Sequence, residues 1–233
     1  MRCIFCKERS DGCVSVEHIL PESIGNKDAL LPVGIVCDKC NNYLSREVER
    51  PLLESGILRL IRDNRGIPSK RGRIPSFGQN EDPALPDYRI MGRFIGKVGL
   101  ECLADRVRKV EGGNDEIVDK SELDELRQFV RFNEGSYWPF SYRMLYPVTA
   151  AFKESEEIYE VLHEYDLLYT DGLEIYISLV LFGVEFAMNL GGRLIDGYRR
   201  WLEKNEWASP LYTGKNLSGV KVYYFKGTEK AGK

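Results

Sequence analysis

The chain has 233 residues, is 43% hydrophobic and 30% charged, and carries a formal net charge of −3. That composition suits a soluble globular protein with a real core and excludes a low-complexity or collagen-like chain. No apolar run reaches the ~18 residues of a membrane span, and the longest candidate, IYISLVLFGVEF, is interrupted by Gly183 and Glu185. The N-terminal MRCIFCKERS has no apolar signal core, so a cytoplasmic location is expected.

Charge is unevenly spread. Residues 1–75 hold 13 Lys and Arg against 10 Asp and Glu, a net of +3, and the remainder holds 20 against 26, a net of −6. A nucleic-acid site is therefore expected in the first third. Four of the six cysteines form two C-x-x-C pairs, Cys3/Cys6 and Cys37/Cys40. Without a signal core this spacing favours metal over disulfides. Cys13 and Cys102 read as free thiols acting as small hydrophobes.

In chain order, CIFC predicts a zinc knuckle. A short strand near CVSV leads to Glu17 and His18, and Pro21 with Gly25-Asn26 marks a loop. VGIV, residues 33–36, suits a returning strand. CDKCNN opens a helix from about Asn41 to Arg62, with Leu44, Val48, Leu52, Ile57 and Ile61 at helical spacing and Pro51 placed to kink or break it. Residues 64–87 are rich in Gly, Pro and charge and read as a linker. Residues 88–110 predict a helix. SELDELRQFVRF predicts another, with Ser121 as N-cap. From Ile158 the period shortens, and three stretches, ending in LEIYISLVL and VEFAMNL, predict an antiparallel meander. GGRLIDGYRRWLEKN predicts a last helix. The expected organisation is α+β: a unit over residues 1–63, a linker over 64–87 and an accessory α+β domain over 88–233.

Two C-x-x-C pairs can supply a four-sulfur tetrahedral zinc site, closed to water and hence structural. Zinc would pin both ends of residues 3–40, bringing the Glu17-His18 pair near the helix start at Asn41. A neutral imidazole can take a proton from water at neutral pH. A carboxylate and an amide oxygen are hard ligands suited to an ion that keeps several waters. A base beside an open cation site can hydrolyse phosphodiesters.

The order CIFC, EHILPESIG, CDKCNN resembles the HNH endonucleases, the His-Me finger nucleases of the four-cysteine zinc type, over residues 1 to about 60. The resemblance implies a ββα-metal fold, a structural zinc on Cys3, Cys6, Cys37 and Cys40, and a single catalytic Mg²⁺ or Mn²⁺. His18 matches the general base, Glu17 the acidic metal ligand before it, and Asn41 the final ligand. There are departures. Glu17 stands where the family more often has Asp. LLPVGI offers no middle asparagine, a role Asn26 can take. Asn42 competes with Asn41. The resemblance also implies a place in mobile elements or antiviral defence.

Arg59, Arg62, Arg65, Lys70, Arg71 and Arg73 form a basic run with one acid, Asp63, and are expected to contact DNA phosphates, with duplex DNA the expected substrate. Glu22 reads as a solvated carboxylate and His163 as structural or surface. Residues 88–233 show no catalytic motif and suit a protein partner or self-association. The leading expectation is a metal-dependent DNA endonuclease. The alternative is a non-catalytic zinc module that binds DNA or protein, and a third reading is an interaction protein with no nucleic-acid role.

Overall fold

A computed structural model describes residues 1–111, 115–145, 163–211 and 225–226. The chain divides into two compact units, Met1–Trp138 and Pro139–Lys233. Mixed helices and antiparallel strands make it an α+β protein.

The first unit opens with the two-residue strands β1 (Glu17–His18) and β2 (Leu30–Leu31), paired antiparallel. VGIV is not the returning strand. Gly34 has a φ of +91°, a left-handed conformation that turns the chain at that point, so the pairing falls earlier, on Leu30 and Leu31. A Cβ at Gly34 would also meet the Ser10 carbonyl at 3.1 Å. CVSV likewise contributes no strand of its own; pairing begins only at Glu17.

The helix after the second cysteine pair is continuous from α1 (Asp38–Leu44) through a π turn (Ser45–Glu49) into α2 (Arg50–Leu53). Pro51 does not break it. Proline lacks an N–H and its ring crowds the carbonyl four residues back, here that of Glu47. The wider π turn precedes Pro51, and Arg93 donates to the Glu47 carbonyl at 3.4 Å in place of the missing N–H. The break comes instead at Ser55-Gly56, before α3 (Gly56–Asn64). The segment 82–84 presses on Gly56 so closely that a Cβ there would lie 2.0 Å from the Asp82 carbonyl.

Residues 65–87 contain neither helix nor strand, as expected of the linker, but they are held against α3. Ile67 is buried, Phe77 lies 5.9 Å from the Arg59 guanidinium, and the Ile57 N–H donates to Ala84. α4 (Tyr88–Glu111) is buried throughout residues 91–100. α5 (Asp115–Asp119) and α6 (Asp124–Arg127) follow, the latter extended by a π turn over Gln128–Phe132. Ser121 begins a short 3₁₀ turn rather than capping a helix. The division expected near residue 88 thus falls inside the first unit. Its cause is the side-chain chemistry of α4: Arg93 reaches the Glu47 carbonyl and Lys97 the His18 carbonyl, with Glu101, one turn on, paired to Lys97.

The second unit is a five-stranded antiparallel sheet in the order β4-β5-β6-β3-β7, with β3 Ser141–Met144, β4 His163–Tyr169, β5 Ile175–Leu181, β6 Val184–Asn189 and β7 Phe225–Lys226. The expected meander is its β4-β5-β6 part; residues 158–162 of its first stretch lie outside the described residues. Between β5 and β6 the two turn residues, Phe182 and Gly183, both have positive φ, the geometry that matches strand twist in a two-residue hairpin. α7 (Asp196–Lys204) packs Tyr198 and Leu202 on Tyr176 and Ala187.

Candidate active site and zinc centre

The sulfur atoms of Cys3, Cys6, Cys37 and Cys40 all lie within 4.8 Å of one another, the one such group of His, Cys, Asp or Glu ligands among the described residues. The Cys6 and Cys37 sulfurs are 3.7 Å apart, close to the ~3.8 Å edge of a tetrahedron with ~2.3 Å zinc–sulfur bonds. The donors therefore fit zinc, and these four residues could hold it. Backbone N–H groups already point at sulfur, from Cys37 to Cys3 at 3.3 Å and from Cys40 to Cys37 at 3.4 Å. Arg131 adds a charged donor, its Nε 3.1 Å from the Cys40 sulfur. Such outer contacts orient ligands and favour the thiolate form. Arg127 secures the knuckle from behind, donating to the Ile4 carbonyl at 2.8 Å. Cys102 is buried and Cys13 partly buried, both outside the four-sulfur group.

The start of α1 holds the strand that carries the Glu-His pair. Asp38 accepts from the Val14 N–H at 3.2 Å and the Ser15 N–H at 2.9 Å, and these donors depress its pKa below the usual carboxylate range. Asn41 Nδ2 donates to the Val16 carbonyl at 3.2 Å. β1 follows directly, so Glu17 and His18 are set beside the helix by its first turn. The loop beyond is pinned by Asn26, which is buried, donates to the Leu20 carbonyl at 2.6 Å and accepts from the Ala29 N–H at 3.0 Å.

A cavity of about 300 Å³ opens at this junction. Glu17, His18, Glu22, Asn41, Ser45 and Glu49 lie on its wall, with Arg62 and Lys70. Asn42 is exposed and does not line it. His18 is partly buried, and desolvation lowers its pKa below the ordinary imidazole value against the opposing pull of Glu22. Glu22 is not a free solvated carboxylate: its Oε1 lies 3.4 Å from His18 Nε2. His18 Nδ1 is enclosed and has no hydrogen-bond partner. Glu17 is 5% exposed, and burial raises its pKa while the ammonium of Lys97, 2.8 Å away, opposes the rise.

The basic run separates into two groups. Arg59 is paired with Glu81 and donates to the Ser76 carbonyl at 2.7 Å, and Arg62 is buried at the cavity wall with its pKa lowered by desolvation. Lys70, Arg71 and Arg73 are exposed, and Arg65 is half-buried. Lys97, Glu49 and Glu101 were not legible as site residues from motif spacing. For Lys97 and Glu101 the one signal in sequence is charge recurring every fourth position, Arg89, Arg93, Lys97, Glu101 and Asp105, along the helix.

The family model for HNH endonucleases matches residues 3–55. Residues 3–55 are an HNH endonuclease domain, with the clustered cysteines of the zinc type. An HNH domain implies nuclease chemistry on a nucleic acid, and the match ends before α3 and covers about a quarter of the chain. No curated protein and no solved structure matches the chain. Among the described residues, no helix is long and apolar enough to cross a membrane.

Proposed function

We propose that the HNH domain makes this protein a metal-dependent endonuclease that hydrolyses DNA phosphodiester bonds, acting in the cytoplasm. One observation carries the reading: Glu17, His18 and Asn41 share the wall of one cavity beside the four-cysteine cluster. His18 is the general base. Its ring lines the cavity with Nε2 3.4 Å from Glu22 Oε1, and a neutral imidazole keeps one nitrogen lone pair to take a proton from water. Glu22 orients the ring, as a carboxylate does behind a catalytic imidazole. Glu17 and Asn41 are the hard oxygen donors that would hold Mg²⁺ or Mn²⁺, which when bound supplies charge stabilisation to the phosphoryl and leaving oxygens. Arg62 and Lys70 meet the phosphate at the cavity, and Arg71 and Arg73 hold flanking duplex backbone. The second unit serves a protein partner or self-association, and the biological role is defence against foreign DNA or mobility of an element.

A second reading has its own observation. Lys97 already places a cation on Glu17, so the domain could be a zinc-stabilised module that binds DNA or protein without cutting. Supercoiled plasmid separates the two. Nicking that requires Mg²⁺ or Mn²⁺ and disappears in His18→Ala selects the enzyme. Binding without nicking selects the module. Parallel single-stranded and RNA substrates test the duplex DNA assignment.

A further inference from the structure

Lys97 sits on α4, outside residues 3–55. Its side chain has no exposed surface. The ammonium lies 2.8 Å from Glu17 Oε1, 3.0 Å from Glu49 Oε1 and 2.9 Å from Glu101 Oε2. It also donates to the carbonyls of His18 at 2.9 Å and Ile19 at 3.4 Å. Five oxygens surround a group with three protons, so the cage is rich in acceptors. Three carboxyl groups thus converge on one ammonium, and burial raises the Glu101 pKa well above the ordinary carboxylate value.

Stability does not call for this arrangement. Desolvating such charges costs several kcal/mol per ion, and well-packed apolar side chains of similar volume commonly serve a fold as well or better. The placement is what matters. A single ammonium grips the Glu17 side chain and the His18 backbone, the two adjacent residues that the nuclease reading makes ligand and base. Glu17 and Glu49 also line the cavity where phosphate would enter.

We propose that Lys97 is a positioning residue for the nuclease site, fixing Glu17 and His18 relative to each other from a helix outside the HNH domain. The inference rests on the nuclease reading above. It explains why the first unit extends to Trp138: residues 3–55 supply the chemical groups, and α4 holds two of them in place. Bound to Lys97 through Oε1, Glu17 keeps its other oxygen for the catalytic cation.

The test uses the full chain, comparing wild type with Lys97→Met. Zinc content and thermal melting report folding, electron paramagnetic resonance reports Mn²⁺ affinity, and single-turnover plasmid nicking at saturating Mn²⁺ reports chemistry. The expected result is a split. Zinc is retained, and Mn²⁺ binds at least as tightly because a nearby positive charge is gone. The rate at saturation falls ~10-fold or more, the scale of a small misplacement of reacting groups. A purely structural lysine would lower the melting temperature and leave the saturated rate of folded protein alone. If Lys97→Met does not fold, Lys97→Met with Glu101→Gln removes one uncompensated charge and carries the same expectation. A folded variant that nicks within ~2-fold of wild type overturns the inference, as does one that binds Mn²⁺ more weakly yet reaches the wild-type rate. A wild type that never nicks overturns the nuclease reading instead, and the inference falls with it.

Discussion

Among the described residues each unit buries a group in which acidic and basic side chains meet, Lys97 with its carboxyls in the first and Arg143 with Glu185 in the second, and the two are built on opposite plans. In the second unit Glu185, 1% exposed, accepts from Arg143 Nε at 2.6 Å and from the hydroxyls of Tyr198 and Ser209. Arg143 places its other donors on the Trp207 and Ala208 carbonyls. The charges cancel, and the donors are matched to acceptors. In the first unit three carboxyl groups face the single ammonium of Lys97, burial raises the Glu101 pKa well above the usual carboxylate value, and Glu101 Oε1 has no hydrogen-bond partner. Of the two, the Lys97 group of the first unit borders the cavity that holds His18, through Glu17 and Glu49. A balanced buried network secures a fold; an unbalanced one at a cavity wall is left open to a cation and substrate.

The largest effect should come from removing what ties the first unit together. Cys37→Ser breaks the four-sulfur set, and structural zinc binding is worth on the order of 10–16 kcal/mol at neutral pH. We expect zinc to be lost and residues 1–138 to become protease-sensitive while the sheet of the second unit keeps its protection. Wild-type zinc should survive mild EDTA treatment. A Cys37→Ser protein that melts like wild type would rule out a zinc centre that holds the unit together.

The two clusters should then fail in different currencies. Arg143→Met strands a buried carboxylate, a change of about 3–5 kcal/mol in stability, with nicking unchanged at temperatures where the variant is folded. His18→Ala should do the reverse: the melting temperature stays put while nicking falls ~10²–10⁴-fold, and added cation does not restore it. Equal effects of both substitutions on both readouts would erase the distinction between a balanced and an open cluster.

The cysteine set and the meander were legible in the chain before any fold was known, whereas the buried charge clusters were not. Metal ligand spacing is local, so Cys3, Cys6, Cys37 and Cys40 could be grouped from the sequence, and the meander followed from the two-residue period of LEIYISLVL and VEFAMNL. The π turn ahead of Pro51 was not legible, because it depends on Arg93, 46 residues from the Glu47 carbonyl it satisfies. Lys97 was hidden for the same reason: its partner Glu17 is separated by 80 residues of chain, and in sequence an i, i+4 Lys-Glu pair resembles an ordinary surface bridge. VGIV misled because its apolar run suggested a strand, whereas Gly34 imposes a turn.

Within the open cluster, ligand and base can be told apart. Glu17→Ala should lose nicking that high Mn²⁺ partly recovers, since it weakens an oxygen ligand rather than removing the base. Glu17→Asp should be milder, keeping the charge. Asn41→Ala should follow Glu17→Ala, whereas Asn42→Ala, off the cavity wall, should cut like wild type. If Asn42→Ala is dead and Asn41→Ala active, the ligand moves by one residue. Around the rim, neutralising Arg65, Lys70, Arg71 and Arg73 should flatten the salt dependence of binding, by ~0.9 in log–log slope for each duplex phosphate no longer neutralised. Arg59→Ala should change that slope least, because Glu81 already neutralises it. A slope unmoved by the fourfold change would return these residues to an ordinary solvated loop.

The smallest effect is also the most specific to the open cluster. Burial lowers the pKa of His18, with Glu22 pulling it back up. A base works when deprotonated, so the acid limb of the pH–rate profile should lie below the ~6.5 of a free imidazole. A cation held at Glu17 would push it the same way. Glu22→Gln removes the carboxylate that favours imidazolium, and the limb should move further to acid, with a lower plateau because the ring is less firmly oriented. The sign for stability follows from the same shift. The unfolded chain takes up the proton first, so the first unit should lose stability as pH falls below ~6.5 and down through the lowered folded value. Nicking rates of wild type and Glu22→Gln across pH 5–8, at saturating Mn²⁺, check both displacements. An acid limb above ~6.5, or one that Glu22→Gln leaves in place, would mean that a group other than the enclosed His18 takes the proton.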